Sequence, residues 1–290
     1  MASPTTSERL QKVAARAGLG SRRALERQIR EGRVKLNGEP AELGATVTPG
    51  DRVDVDGVVH KVRAVKGDKV RVLIYNKPEG EVTTRSDPEG RPTVFDRLPN
   101  VRQGRWIAIG RLDLNTSGLL LLTTDGELAN AMMHPSGGVD REYACRIHGR
   151  VTDEMIDRLK TGVELEDGKG RFTDVVVGDG GATNRWYYVA MMEGRNREVR
   201  RLWESQDVQV SRLKRVRYGA VPLPDDLRPG KWVELQPDDI RTLREDVGLS
   251  PQVDTLTLEP VKPSKAKTSA RKPKKQKHPR AKAPRRKEKR

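Results

Sequence analysis

Cysteine is almost missing from this chain. Cys145 is the one cysteine in 290 residues, so no intrachain disulfide can form, as expected of a cytoplasmic protein in a reducing compartment. Its neighbours Ala144 and Arg146 place it in a strand, where the thiol reads as buried and inert. His60, His134, His148 and His278 are scattered without metal-ligand spacing, and no metal or cofactor is expected. No apolar run is long enough to span a bilayer, and the polar start Met-Ala-Ser-Pro-Thr-Thr-Ser has no signal-peptide core, so no membrane association is expected. Aromatic residues are few, and none precedes Tyr75. A module built from that N-terminal stretch has no rings on which to stack bases, which excludes an aromatic platform there. Gly178-Asp179-Gly180-Gly181 lacks the third glycine of a dinucleotide loop and reads as a turn.

What the chain has in excess is positive charge, and it is unevenly placed. Of the formal +16, residues 251–290 hold +12, with 15 Lys and Arg against 3 Asp and Glu, leaving +4 for the first 250 residues. A mildly basic body with a strongly basic appendage points to nucleic acid, because Lys and Arg displace condensed counterions from phosphates. The appendage is almost devoid of apolar residues and is expected to be disordered, serving as a nonspecific RNA tether.

Three regions follow from the punctuation. Residues 7–66 form a small module: a helix from Glu8 to Ala17 closed by Gly18, then a second helix capped by Ser21 and ending near Gly32. On the second helix Arg23, Arg27 and Arg30 share one face and Leu25 and Ile29 the opposite one. Asn37-Gly38 and Asp56-Gly57 mark hairpin turns. Residues 69–250 alternate short strands irregularly with helices, which predicts an α+β domain on a mixed sheet rather than a doubly wound one. The expected strands are 70–76, 106–110, 119–123, 141–148, 185–192 and 232–235. Helices are expected over 127–133, 154–159 and 197–205. Residues 251–290 are the tail.

Gly110-Arg111-Leu112-Asp113-Leu114-Asn115-Thr116-Ser117-Gly118 carries the most information. It sets one carboxylate at a strand end beside a tight turn, where neighbouring backbone limits its rotamers; such an acid suits nucleophilic or acid/base chemistry, or simply caps a turn. Arg111, two residues earlier, shares its face on an extended chain. Three more segments stand out: Tyr75-Asn76-Lys77-Pro78-Glu79-Gly80, Arg141-Glu142-Tyr143, and Glu193 to Leu202. Together the four segments resemble RNA pseudouridine synthases of the RsuA type over nearly all of residues 70–240, and residues 7–66 resemble the S4 RNA-binding module.

The resemblance implies that Asp113 is the catalytic carboxylate, that Tyr143 stacks on a flipped-out uracil and assists proton movement, and that Arg200 supplies the cation that keeps Asp113 ionised. It implies that Arg111 helps to open the surroundings of the target nucleotide. Lys77, Arg195, Arg197, Lys214 and Arg215 are candidate RNA contacts around the pocket, and Arg9, Lys12, Arg22, Arg23 and Arg27 are candidate phosphate contacts in the S4-like module. The implied reaction converts uridine to pseudouridine without a cofactor, with Asp113 adding to C1′, adding to C6, or removing a 2′ proton. Longer stretches, such as His134-Pro135-Ser136 and Gly162 to Gly168, resemble the branch acting on the large subunit. The implied partner is 23S rRNA or the assembling large ribosomal subunit, the target is the uridine conventionally numbered 2605, and a monomer is expected. Two other readings stay open: a noncatalytic rRNA-binding or ribosome-assembly factor, and a small-subunit rRNA pseudouridine synthase.

Overall fold

The computed structural model describes residues 7–67, 70–101, 104–251 and 254–261. In the N-terminal module the helices are Leu10–Arg16 and Arg22–Arg30, and Ser21 Oγ accepts the Ala24 amide at 3.1 Å as the cap. Glu8–Arg9 is not the first turn of a helix but a two-residue strand paired with Thr46–Val47. Leu25 and Ile29 are buried, whereas Arg22, Arg23, Arg27 and Arg30 are exposed, which is the two-faced helix expected. Asn37 and Asp56, each followed by glycine, take positive φ values of 53° and 54°, as primed hairpin turns require.

The sheet of this module holds a strand that composition hid. Thr255–Pro260 runs antiparallel to Val58–Val65 from Thr255↔Val65 to Pro260↔His60 and forms the edge of a five-stranded sheet. The expectation of a disordered tail from residue 251 is therefore corrected. Thr-Leu-Thr-Leu alternates with the period of a strand, and Leu256 and Leu258 enter the module's core beside Leu10, Val13 and Leu25. Glu8 ties the join: its carboxylate takes Arg16 at 2.8 and 2.9 Å, Lys12 at 3.0 Å and the Leu256 amide at 2.9 Å. The basic remainder, 262–290, lies outside the described residues.

The larger domain is built on a nine-stranded mixed sheet. Its main path runs Asp174–Gly180, Asn184–Met191, Arg141–His148, Gln209–Tyr218, Ser117–Thr123, Val72–Lys77, Trp232–Glu234. All neighbours are antiparallel except Gln209–Tyr218 and Ser117–Thr123, which run parallel and meet at only two pairs, Lys214↔Ser117 and Arg215↔Gly118. The leucine run is explained by this central position. Leu119 and Leu121 pack under the helices Gly126–Met133 and Pro237–Asp246, while Leu120 and Leu122 enter the core on the other face. A strand buried on both faces has no reason to alternate. The second face is covered by Asp153–Thr161 and Glu198–Glu204, with Phe172 and Trp203 between them. The Gly178-Asp179-Gly180 stretch is not a turn: it ends the edge strand through a bulge after Val177.

Candidate active site

Asp113 lies in the loop that enters Ser117–Thr123, and it lines a cavity of about 780 Å³ with Tyr143, Arg111 and Arg215. The loop is fixed by its carbonyls, five in succession. Leu112 O accepts the Thr83 hydroxyl (2.9 Å), and Asp113 O accepts the Thr116 amide (3.1 Å). Leu114 O accepts the Gly80 amide (2.8 Å), Asn115 O accepts Arg200 Nη2 (2.9 Å) and Thr116 O accepts Lys77 Nζ (2.9 Å). Two separate parts of the chain, residues 77–83 and Arg200, thus hold the backbone on either side of one half-buried carboxylate. Such a support shell limits where the side chain can point.

Gly118 closes the loop for a steric reason. Its φ is +99°, and a Cβ there would lie 2.8 Å from the Arg215 amide nitrogen and closer still to its carbonyl oxygen. The glycine at this point of the motif permits the close crossing of two parallel strands, more than it makes a turn.

Several expected roles change in the structure. Lys77 is fully buried, and its ammonium donates to Pro78 O and Thr116 O, so it holds the loop and does not reach phosphate. Burial lowers its pKa to about 8, against the pull of Glu81 and Asp113. Arg215 is also buried. Its Nε donates to Leu119 O at 2.8 Å and its guanidinium lies 4.9 Å from the Tyr218 ring centre, with Arg141 4.8 Å from the same ring. It lines the cavity, and its Nη2 has no protein partner, but it is no surface contact. Arg195 is occupied by Glu193, Glu198 and Asp167 and by the carbonyls of 167–169, which makes it a brace for the cavity rim. Lys12 bridges Glu8 and Glu127, linking the module to the larger domain.

Arg200 is buried, as its expected role requires, but it does not hydrogen-bond Asp113. It donates to Asn115 O and Val210 O, and burial lowers its pKa while the charge of Asp113 opposes that shift. Its hydrogen bond to Asn115 O ties it to the loop that carries Asp113. Tyr143 sits on the strand between Asn184–Met191 and Gln209–Tyr218, opposite Val189 and Arg215. Arg197 lines the rim in a left-handed conformation, φ +50°, just before Glu198–Glu204. Arg111 and Lys214 are exposed, as are Arg9, Arg22, Arg23 and Arg27 on the module. Reasoning from sequence missed Arg141, which lines the cavity while donating to Val139 O and to the Tyr218 hydroxyl (2.7 and 2.9 Å). It also missed Glu198, whose carboxylate accepts the Arg195 amide at 2.8 Å and whose pKa burial raises.

A loop held by its carbonyls presents one carboxylate to a basic cavity that Tyr143 and Tyr218 also line, beside a small basic module. Comparison with known proteins gives the family. The RNA pseudouridylate synthase family pattern matches residues 71–205 and the S4 domain pattern residues 8–53. A protein of Pseudomonas aeruginosa named ribosomal large subunit pseudouridine synthase B is 59% identical over 245 residues, covering 84% of this chain and 64% of that protein. Its namesake in Escherichia coli (strain K12) is 56% identical over 251 residues, covering 86% of each. The chain spans about half to two thirds of several of these relatives, 54% in Xanthomonas campestris. A solved pseudouridylate synthase superposes with a TM-score of 0.56 at 25% identity, over 81% of this chain and 99% of its own. The chain belongs to the RNA pseudouridylate synthase family.

Proposed function

We propose that this protein converts a uridine of large-subunit rRNA to pseudouridine, with Asp113 as the catalytic carboxylate. The observation that carries the reading is the Asp113 loop, pinned through its carbonyls at the wall of a cavity that Tyr143 and Arg215 also line. The reaction breaks the N1–C1′ bond of uridine and joins C1′ to C5; C5 gives up its proton and N1 gains one, so no redox partner or external group takes part. The target must leave its stack, because neither C1′ nor C6 is open to a side chain inside a helix.

Each route open to Asp113 begins with an ionised carboxylate. Buried Arg200 and Lys77 keep positive charge beneath the loop, and their attachment to Asn115 and Thr116 couples that charge to the loop's position. Tyr143 offers a flat ring on which the detached uracil can turn without escaping. The exposed arginines of the N-terminal module supply sequence-independent grip on folded RNA. The names of the relatives favour large-subunit rRNA. Incubating the protein with large- and small-subunit transcripts in parallel and mapping pseudouridine tests this: one new site in the large-subunit RNA is expected. No pseudouridine in either RNA would refute the activity, and modification confined to the small-subunit transcript would refute the substrate.

A further inference from the structure

The sheet of the larger domain is covered unequally. On the Val72–Lys77 side its back face lies under Gly126–Met133 and Pro237–Asp246. On the other side, across Gln209–Tyr218, Arg141–His148, Asn184–Met191 and Asp174–Gly180, strand register gathers a different surface. Residues directly opposite in antiparallel strands share a face, so the pairings define two adjoining rows. One is Lys214, Ala144, Tyr188, Val176; the next is Arg212, Arg146, Trp186. This face is turned away from Tyr143 and Arg215, which occupy the alternate positions of the same strands and line the cavity.

The surface is aromatic and basic together. Tyr188 is 47% exposed and Val176 53%, Trp186 is partly exposed, and Arg146, Arg212 and Lys214 all face solvent. Gly178 makes room for the Tyr188 ring: a Cβ there would lie 3.0 Å from that ring and 3.3 Å from the Trp186 Cβ. Three of the acids nearby are already engaged. Glu142 pairs with Arg217, Asp174 with Lys160 at 3.5 Å, and Glu79 with Arg212 at 3.3 Å in an exposed pair that a phosphate can displace. An interior has no use for such a combination, and a protein-facing patch would carry less uncompensated charge at its centre.

We propose that this open face is a second RNA-binding platform, on which unpaired bases stack against Trp186 and Tyr188 while adjoining phosphates meet Arg146, Arg212 and Lys214. Aromatic rings on a sheet flanked by cations are the general solution for gripping single strands without reading their sequence. The N-terminal module, which has no aromatic residue, cannot do this, so the two surfaces divide the work: the module holds folded RNA and the platform holds a flanking single strand. The inference goes beyond the proposed reaction and requires only that RNA is the ligand.

The test is the affinity of the full chain for a short unstructured oligouridylate, followed by anisotropy at moderate salt, where stacking persists as phosphate contacts weaken. Trp186→Ala and Tyr188→Ala should each weaken binding by roughly 5- to 100-fold, and Tyr188→Phe, which keeps the ring, should bind like the original protein. Unchanged thermal unfolding of the variants establishes that the fold is intact. Equal affinity of both alanine variants and the original overturns the proposal, as does a result in which these variants keep RNA affinity but lose a ribosomal protein partner. Pseudouridine mapping on the same preparations is read separately: a protein that loses oligouridylate affinity on Tyr188→Ala yet makes no pseudouridine would sink the proposed reaction and leave the platform standing.

Discussion

Replacing Gly118 by alanine should destabilise the larger domain. Two costs combine. A non-glycine residue held at a φ of +99° carries left-handed backbone strain of about 1–2 kcal/mol. The added Cβ also meets the backbone of Arg215, with the amide nitrogen at 2.8 Å, and neither partner can swing away as a side-chain tip would. Overpacking of this kind costs about 1–3 kcal/mol. The sum, about 2–5 kcal/mol, falls on the only two pairs that join the parallel strands, Lys214↔Ser117 and Arg215↔Gly118. At about 2–4 °C per kcal/mol for a domain of this size, the melting temperature should drop by roughly 5–20 °C. Gly80→Ala is the control, since Gly80 has a similar φ of +88° and nothing within 4 Å of its added Cβ. It should lose only about 1–2 kcal/mol from backbone strain. Urea unfolding of both variants gives the comparison, and equal losses would show that close strand crossing is not why glycine stands at position 118.

Three further outcomes are expected. Lys77 titrates near 8 in the fold and near 10.5 in the unfolded chain, so between these values the unfolded state binds more protons and stability should rise with pH. Lys77→Met should flatten that slope in urea midpoints measured from pH 7 to 11. For Glu8, burial opposes ionisation, but Arg16, the Leu256 amide and Lys12 outweigh it and bring its pKa to about 2. The stability it contributes is present above about 4.5 and lost as pH falls through 2, so Glu8→Gln should lower the urea midpoint at pH 7 and leave it nearly unchanged at pH 2. Truncation should separate two effects. Removing 262–290 should weaken RNA binding and flatten its salt dependence while melting is preserved, because the segment carries 15 Lys and Arg. Removing 251–290 should also unfold the N-terminal module, which loses Leu256 and Leu258 from its core; equal melting temperatures for the two truncations would contradict the strand pairing.

Much of this was legible before any coordinates. Ser21, Asn37-Gly38 and Asp56-Gly57 announce a cap and two hairpins through local chemistry, which long-range packing seldom overrides. The mixed α+β sheet followed from irregular alternation of short strands and helices. What stayed hidden depends on contacts distant in sequence. Lys77 and Arg215 look like surface cations because burial of a charge is rare, and nothing local announces the carbonyls that satisfy them. Arg212, Lys214 and Arg215 form one basic stretch in sequence, yet strand alternation through an unbroken register sends Arg215 to the cavity face and the other two outward. Thr255–Pro260 was obscured by the Lys- and Pro-rich sequence after it, although its alternation was visible. Within the candidate site, the resemblance grouped Asp113, Tyr143 and Arg200; Asp113 and Tyr143 line one cavity, while Arg200 lies behind the loop on Asn115 O and Val210 O, a placement that depends on contacts distant in sequence.

In the proposed reaction the Asp113 carboxylate performs the chemistry while other residues hold RNA. Pseudouridine formation in large-subunit rRNA should therefore be measured alongside RNA affinity for Asp113→Asn, which keeps the shape of the side chain and removes its charge. Loss of product with affinity within a few-fold of the original is expected. An Asp113→Asn protein that modified the RNA at an undiminished rate would contradict it.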